Sequence, residues 1–362
     1  MQARTKITAG AAVVVLVVGV LVYLSVFRSH DGPAPSGWHE GASSASSEAA
    51  RMLEEGGGGI VPPLAPNEVL EEASTTANVG PSVIVVARWG SARGELGRDR
   101  PQEGNPEGPM SLVLAGRNLL VLDQVNGRLA RYDEKGKLLG TTDAPTTAQD
   151  IAVGKDGTVA MVDRLVNKSI TLVDANGRKI GELPLTTRVP EPGLVTGVMV
   201  DGKNVYVEKE HGALVLIGTT DGKAAQDEQQ LSGRPSKDGA LLLTAGLSSK
   251  AQGRAYLNAF DRKTQSLRFA RQVQFPHPSQ AIVLLDSDAK GTIYLGIAAG
   301  DPGDAHIACL DPGDGHVIGR TVVPLSHTPE EAFRDFAVGE DGTIVYAVRT
   351  DEDVQYRTAR CP

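Results

Sequence analysis

The sequence predicts an all-β protein: a six-bladed β-propeller closed by an N-terminal strand and preceded by one transmembrane helix and a disordered stalk. Three observations predict it. A chargeless apolar stretch stands near the N-terminus, a low-complexity segment follows, and the remainder repeats a unit of four short strands. The unit recurs every 40 to 50 residues or so, which is roughly the period of propeller blades.

Residues 1–6 form a short cytoplasmic tail in this reading. Ile7 to Phe27 is free of charged residues and long enough to cross a hydrocarbon core of ~30 Å. Arg4 and Lys6 precede it, and Arg28 stands almost alone after it. The positive-inside rule puts the N-terminus in the cytoplasm and the large domain outside, periplasmic or extracellular. A cleaved signal peptide is the competing reading, but the apolar run is longer than an h-region and no A-x-A-like site follows. Residues 28–80 contain GASSASSEAA and EEGGGG, which cannot bury a core and read as a flexible stalk. Within it, Asn67 to Ala73 is expected to form a short helix with Asn67 as N-cap.

From residue 81 to residue 362 the texture is β throughout, with Val-, Ile- and Leu-rich runs between Gly-containing turns. Ser111 to Gly140 and Asp150 to Gly181 each read strand, tight turn, strand ending in Asp, Asn-containing loop, strand, tight turn, strand. Weaker copies begin at Val195, Ala240 (around AYLNAF), Leu284 and Phe333. The last copy stops after three strands, and Ser82 to Gly90 is a lone strand before the first. Together they complete one blade and close the ring, which protects the sheet edges. A sandwich would leave the repeat unexplained, and a solenoid the lone strand.

Asp123-x-x-Asn126-x-Arg128-Leu129 and Asp163-Arg-Leu-Val-Asn167-Lys168-Ser-Ile170 each start at a strand end of V-x-D type, Val121-Leu-Asp123 in the first and Met161-Val-Asp163 in the second. They resemble the NHL-repeat propellers; the second carries one extra residue and a Lys in place of Arg. The resemblance covers two blades clearly and implies the fold, since such propellers include scaffolds, ligand binders and enzymes.

Composition narrows the function. The formal charge is −8 and no Lys/Arg stripe is present, so nucleic acid is not an expected partner. Aromatics make up 4%, too few for a broad stacking platform. The face around a propeller's central opening is the expected binding surface. There the sequence places Gln149, Asp150, Thr196, His211, Arg334, Asp335 and Arg349 as candidate ligand-binding residues. Asp123, Asp163, Glu208 and Asn258, read as second-strand ends, fit either of two roles. They cap the turns that follow, or they gather around Ca²⁺ as in the lactonase propellers that such a set would resemble. Asp311 to His316 (DPGDGH) lacks EF-hand spacing and reads as a turn. Cys309 and Cys361 form a disulfide or remain two buried thiols; a bridge closing about fifty residues would contribute ~4 kcal/mol in the chain-entropy model. The sequence has no G-x-S-x-G, H-E-x-x-H or P-loop motif, so a binding role is favoured over an enzymatic one and no catalytic residue is assigned. The first expectation is a membrane-anchored binding or scaffolding domain for a protein, envelope component or small ligand. A calcium-dependent lactonase-like hydrolase and the ectodomain of a sensor complex are the alternatives.

Overall fold

In the computed structural model the described residues are 68–69, 82–300 and 303–362. The segment expected to span the membrane (7–27) and nearly all of the expected stalk (28–80) lie outside them. The described part of the stalk is β1 (Glu68–Val69), and the closing strand is β2 (Ser82–Arg88).

Blade one comprises β3 (Ser111–Ala115), β4 (Asn118–Asp123), β5 (Arg128–Tyr132) and β6 (Leu138–Asp143). Blade two is β7 (Asp150–Val153), β8 (Val159–Asp163), β9 (Ser169–Val173) and β10 (Lys179–Pro184). Blade three is β11 (Val195–Asp201), β12 (Asn204–Lys209), β13 (Leu214–Thr219) and β14 (Gln230–Leu231). Blade four is β15 (Arg234–Pro235), β16 (Leu241–Ser249), β17 (Arg254–Asp261) and β18 (Leu267–Gln274). Blade five is β19 (Ser279–Ser287), β20 (Ile293–Ala299), β21 (Asp304–Leu310) and β22 (Val317–Pro324). Blade six is β23 (Phe336–Val338), β24 (Ile344–Arg349) and β25 (Asp353–Ala359), completed by β2.

Every four-stranded blade is antiparallel, and the first strands of blades five, six, one, two and three lie side by side around the axis, while in blade four β16 packs against β19. The expected closure is present: β2 pairs antiparallel with β25, from Ser82 opposite Thr358 to Arg88 opposite Asp353. Second strands are covered on both faces by adjoining blades, so β8, β20 and β24 are buried along their length. Blades splay apart toward the rim, so outer β6 alternates between half-buried and exposed residues. The apolar clusters accordingly sit between blades. The seam of blades six and one holds thirteen buried side chains, including Leu112, Val121, Tyr132, Ala347 and Tyr356. The seam of blades three and four holds four, Tyr206, Leu214, Leu231 and Leu242, and is reinforced by the Arg262–Asp201 ion pair.

Two expectations need correction. Glu68–Val69 form a strand, parallel to β18 with Glu68 opposite Val273 and Val69 opposite Gln274. A helix of seven residues is far below the length that stands alone, whereas the outer edge of blade four offers free backbone partners. Blade four is also shifted by one strand. Its first strand is the two-residue β15, so AYLNAF belongs to the third strand, and Asn258 lies in mid-strand opposite Thr244 and Ala270. Cys309 on β21 and Cys361 beyond β25 form a disulfide with Cα atoms 6.4 Å apart. It fastens the C-terminus to blade five.

Candidate functional site

Asp123 and Asp163 end the second strands of blades one and two, and both are buried. The Asp123 carboxylate accepts hydrogen bonds from Gly97 N (2.8 Å), Asn126 Nδ2 (2.9 Å) and Arg128 Nε (2.8 Å). The three spaced residues of the Asp-x-x-Asn-x-Arg motif thus form one cluster around a carboxylate. Asp163 accepts from the backbone N–H groups of Leu165, Val166 and Asn167 and from Thr147 Oγ1. This is turn capping, the first of the two roles anticipated.

The central channel has a volume of about 710 Å³. Near its middle, charged side chains link the blades. Asp150, fully buried on β7, accepts from Ser111 Oγ of blade one (2.7 Å), Val198 N of blade three (2.9 Å) and Arg334 Nη2 (2.6 Å). Arg334 also donates to Val198 O at 3.1 Å. Glu208 of blade three receives both arms of Arg234 of blade four, Nε to Oε1 at 2.7 Å and Nη2 to Oε2 at 3.0 Å. Arg234 continues to Leu285 O of blade five at 3.1 Å. Asp286 of blade five accepts from Lys237 of blade four and from Val338 N of blade six. Every blade is held by at least one of these bonds.

Glu208 is drawn down to about 2. Burial by itself would raise it, but the bonds from His211, Arg234 and Thr196 outweigh that desolvation. His211 owes its place to a tight turn in which Glu210 and His211 both adopt positive φ, 51° and 57°, a conformation that L residues other than Gly seldom take. The turn brings His211 Nδ1 to 3.4 Å from Glu208 Oε2 and its N–H to 2.9 Å from Thr196 Oγ1. The ring remains 74% exposed at the channel mouth.

The other expected residues distribute as follows. Thr196, His211, Arg334 and Asp335 line the channel. Arg349 does not face an opening; it is buried, with its two Nη atoms on Asp335 (2.7 and 2.8 Å) and one also on Pro109 O. Asp150 is consumed by the network just described. The calcium set does not assemble. Asp123, Asp163 and Glu208 are each held by their own partners, and Asn258 is remote from a strand end. Among the described residues, the group that brings three His, Cys, Asp or Glu ligand atoms together is Asp311, Asp314 and His316 in the DPGDGH turn.

A second opening lies on the same face, beside the channel. This recess of about 650 Å³ lies between the loops of blades one, two and six, with Gln149 on its wall. Sequence reasoning missed most of it, because its residues come from connections without periodicity. The long connection between β2 and β3 forms one side. It folds back through backbone bonds between Asp99 and Glu107 (2.9 and 2.8 Å). Arg98 stacks over Trp89 at 4.8 Å, and Arg100 pairs with buried Glu330 at 2.6 Å.

No family model and no curated protein matches the chain. Solved structures do. Kuenenia stuttgartiensis hydrazine synthase is 15% identical over 68% of this chain and 76% of its own, with a TM-score of 0.44. BamB from Moraxella catarrhalis is 12% identical over 77% and 99%, with a TM-score of 0.41. A streptogramin B lyase is 10% identical over 73% and 97%, with a TM-score of 0.42. At these identities the likeness is one of overall architecture alone.

Proposed function

We propose that the chain is a membrane-anchored, extracytoplasmic binding or scaffolding propeller, and that the face carrying the recess and the channel mouth engages its partner. One observation carries this reading: the acidic strand ends that a metal-dependent enzyme would need are saturated by the fold, while the recess beside them presents unengaged polar groups. Blades one and two retain the NHL-like pattern, and their aspartates are spent on holding loops in place. The partner is a protein, an envelope component or a small ligand, reached from the cytoplasmic membrane through the segment at residues 7–27 and the stalk.

Two measurements test the proposal together in the full chain. A phosphatase that is active only outside the cytoplasm, fused after Pro362, is expected to be active; an inactive fusion would remove the extracytoplasmic placement. A photo-crosslinking residue at Val166, beside the recess, and another at Gln280, at the channel mouth, are expected to give a discrete adduct in membranes. Absence of adducts at both positions would argue against a binding role for this face.

A further inference from the structure

We infer that the recess between blades one, two and six takes an extended peptide segment that carries a basic residue next to an apolar one. This rests on the binding reading above and names the ligand class for one of its two openings. A volume of about 650 Å³ is within the range of pre-formed binding sites, roughly 300–1,000 Å³.

The decisive residue is Gln124. It is 3% exposed and lines the recess, yet among the described residues no hydrogen bond reaches its side-chain amide. The amide opens into the recess, where its donor and acceptor are free to meet a ligand's complementary groups. Gln149 repeats the pattern more weakly: its Oε1 accepts from Arg164 N at 3.1 Å, while no bond among the described residues engages its Nε2. Two carboxamides that offer both donors and acceptors complement a peptide backbone, which carries N–H and C=O groups together.

Charge selects the side chains. Glu107 and Glu331 stand on one wall, and neither has an ion pair among the described residues; Glu331 Oε1 accepts only from Asn105 Nδ2, at 2.6 Å. Arg164 on the opposite wall keeps its positive charge and is held there by its Nη1, which donates to Gly193 O (2.7 Å) and Val195 O (3.1 Å). Its guanidinium also covers the Phe333 ring at 5.2 Å, so that aromatic face is closed to sugars and bases. Two carboxylates against one guanidinium leave the recess net negative, with the acidity concentrated on the Glu107 and Glu331 wall, and a Lys or Arg placed there complements it. Beside the carboxylates, Met110 on the floor and Leu165 and Val166 on the rim, 53% and 65% exposed, offer apolar contact to the neighbouring residue.

The test uses the full chain in lipid nanodiscs and two fluorescein-labelled probes read by anisotropy, Gly-Lys-Leu-Lys-Val-Gly and its acidic twin Gly-Glu-Leu-Glu-Val-Gly. The basic probe is expected to bind saturably, and the acidic one about tenfold more weakly or worse. Glu107→Lys with Glu331→Lys, both exposed positions, should reverse that preference. Gln124→Leu should weaken the basic probe about tenfold, with the melting temperature reporting whether the variant still folds. Lys203→Glu, on a turn of the opposite face, should change nothing. Equal binding of the twins, or indifference to the double charge reversal, overturns the assignment. The crosslinking positions separate the two levels: no binding of either probe, with an adduct at Gln280 and none at Val166, removes the peptide recess and leaves the binding reading standing.

Discussion

Replacing Arg234 by methionine probes the charged ring of the channel most directly. Glu208 would keep its burial and lose both arms of its bidentate partner. Removing one member of a buried pair typically costs about 3–5 kcal/mol, because the remaining charge is stranded. The titration of Glu208 bounds the pH-dependent part, which Arg234 shares with His211 and Thr196. The native carboxyl lies at about 2 against an ordinary 4.5, which amounts to about 3 kcal/mol of pH-dependent stability. The sign follows from the depressed value. The contribution is complete above the unfolded value of 4.5 and is lost progressively as pH falls toward about 2; roughly 2 kcal/mol of it is gone by about pH 3. Guanidinium titrations followed by tryptophan fluorescence should therefore show Arg234→Met less stable by several kcal/mol at neutral pH. The gap from the parent should narrow on acidification, and Glu208→Gln with Arg234→Met should recover part of the loss. A gap under about 1 kcal/mol, or one unchanged down to about pH 3, would refute the view that this pair is desolvated and coupled.

Other outcomes follow from the same geometry. Cys361→Ser should lower stability by about 4 kcal/mol, the chain-entropy value for a loop of this length, and reductant should destabilise the parent but not the variant. Gly136 has φ 79°, and a Cβ there would lie 1.6 Å from Ile84 O on the closing strand; Gly136→Ala should therefore accelerate hydrogen exchange across residues 82–88, and unchanged protection would show that the contact is not tight. Asp163→Ala removes the acceptor for three backbone N–H groups and should destabilise by about 1–3 kcal/mol, read from thermal melts. Calcium should leave the parent's melting temperature unchanged, and a saturable rise that Glu208→Ala abolishes would move the metal-dependent reading ahead of the binding one.

Much of the fold is legible in the sequence because blade strands obey local rules. Alternating apolar runs and turn glycines mark blades one, two, three and five, and the lone run at Ser82 has no partner except the incomplete last blade. The capping role of Asp163 is legible too, since the three backbone N–H groups it accepts from lie within four residues of it. Blade four is not, because its first strand is Arg234–Pro235, an arginine and a proline that pattern reading assigns to a loop. Arg234 can occupy an inner strand only because Glu208, far away in sequence, neutralises it. The same long-range pairing hides Arg349, whose strand-end position suggests an opening until Asp335 is seen to claim it. The recess was illegible for a different reason: Gln124 gains its meaning from three loops that meet over it, and no periodicity announces that meeting.

The closing strand also has a mechanical consequence. If the chain is tethered through its N-terminus, tension arrives first at the two-residue β1, which can peel from blade four with little resistance, and then at Ser82. Ser82 lies opposite Thr358, three residues before the cysteine that is bonded to blade five. Load entering there passes into a covalently anchored end of β25 and onward to blade five, and does not depend on blade six alone. The disulfide thus works as a strain relief at the point where the cable enters, and a pulled, reduced molecule should shed β2 together with β25 at forces the oxidised one withstands.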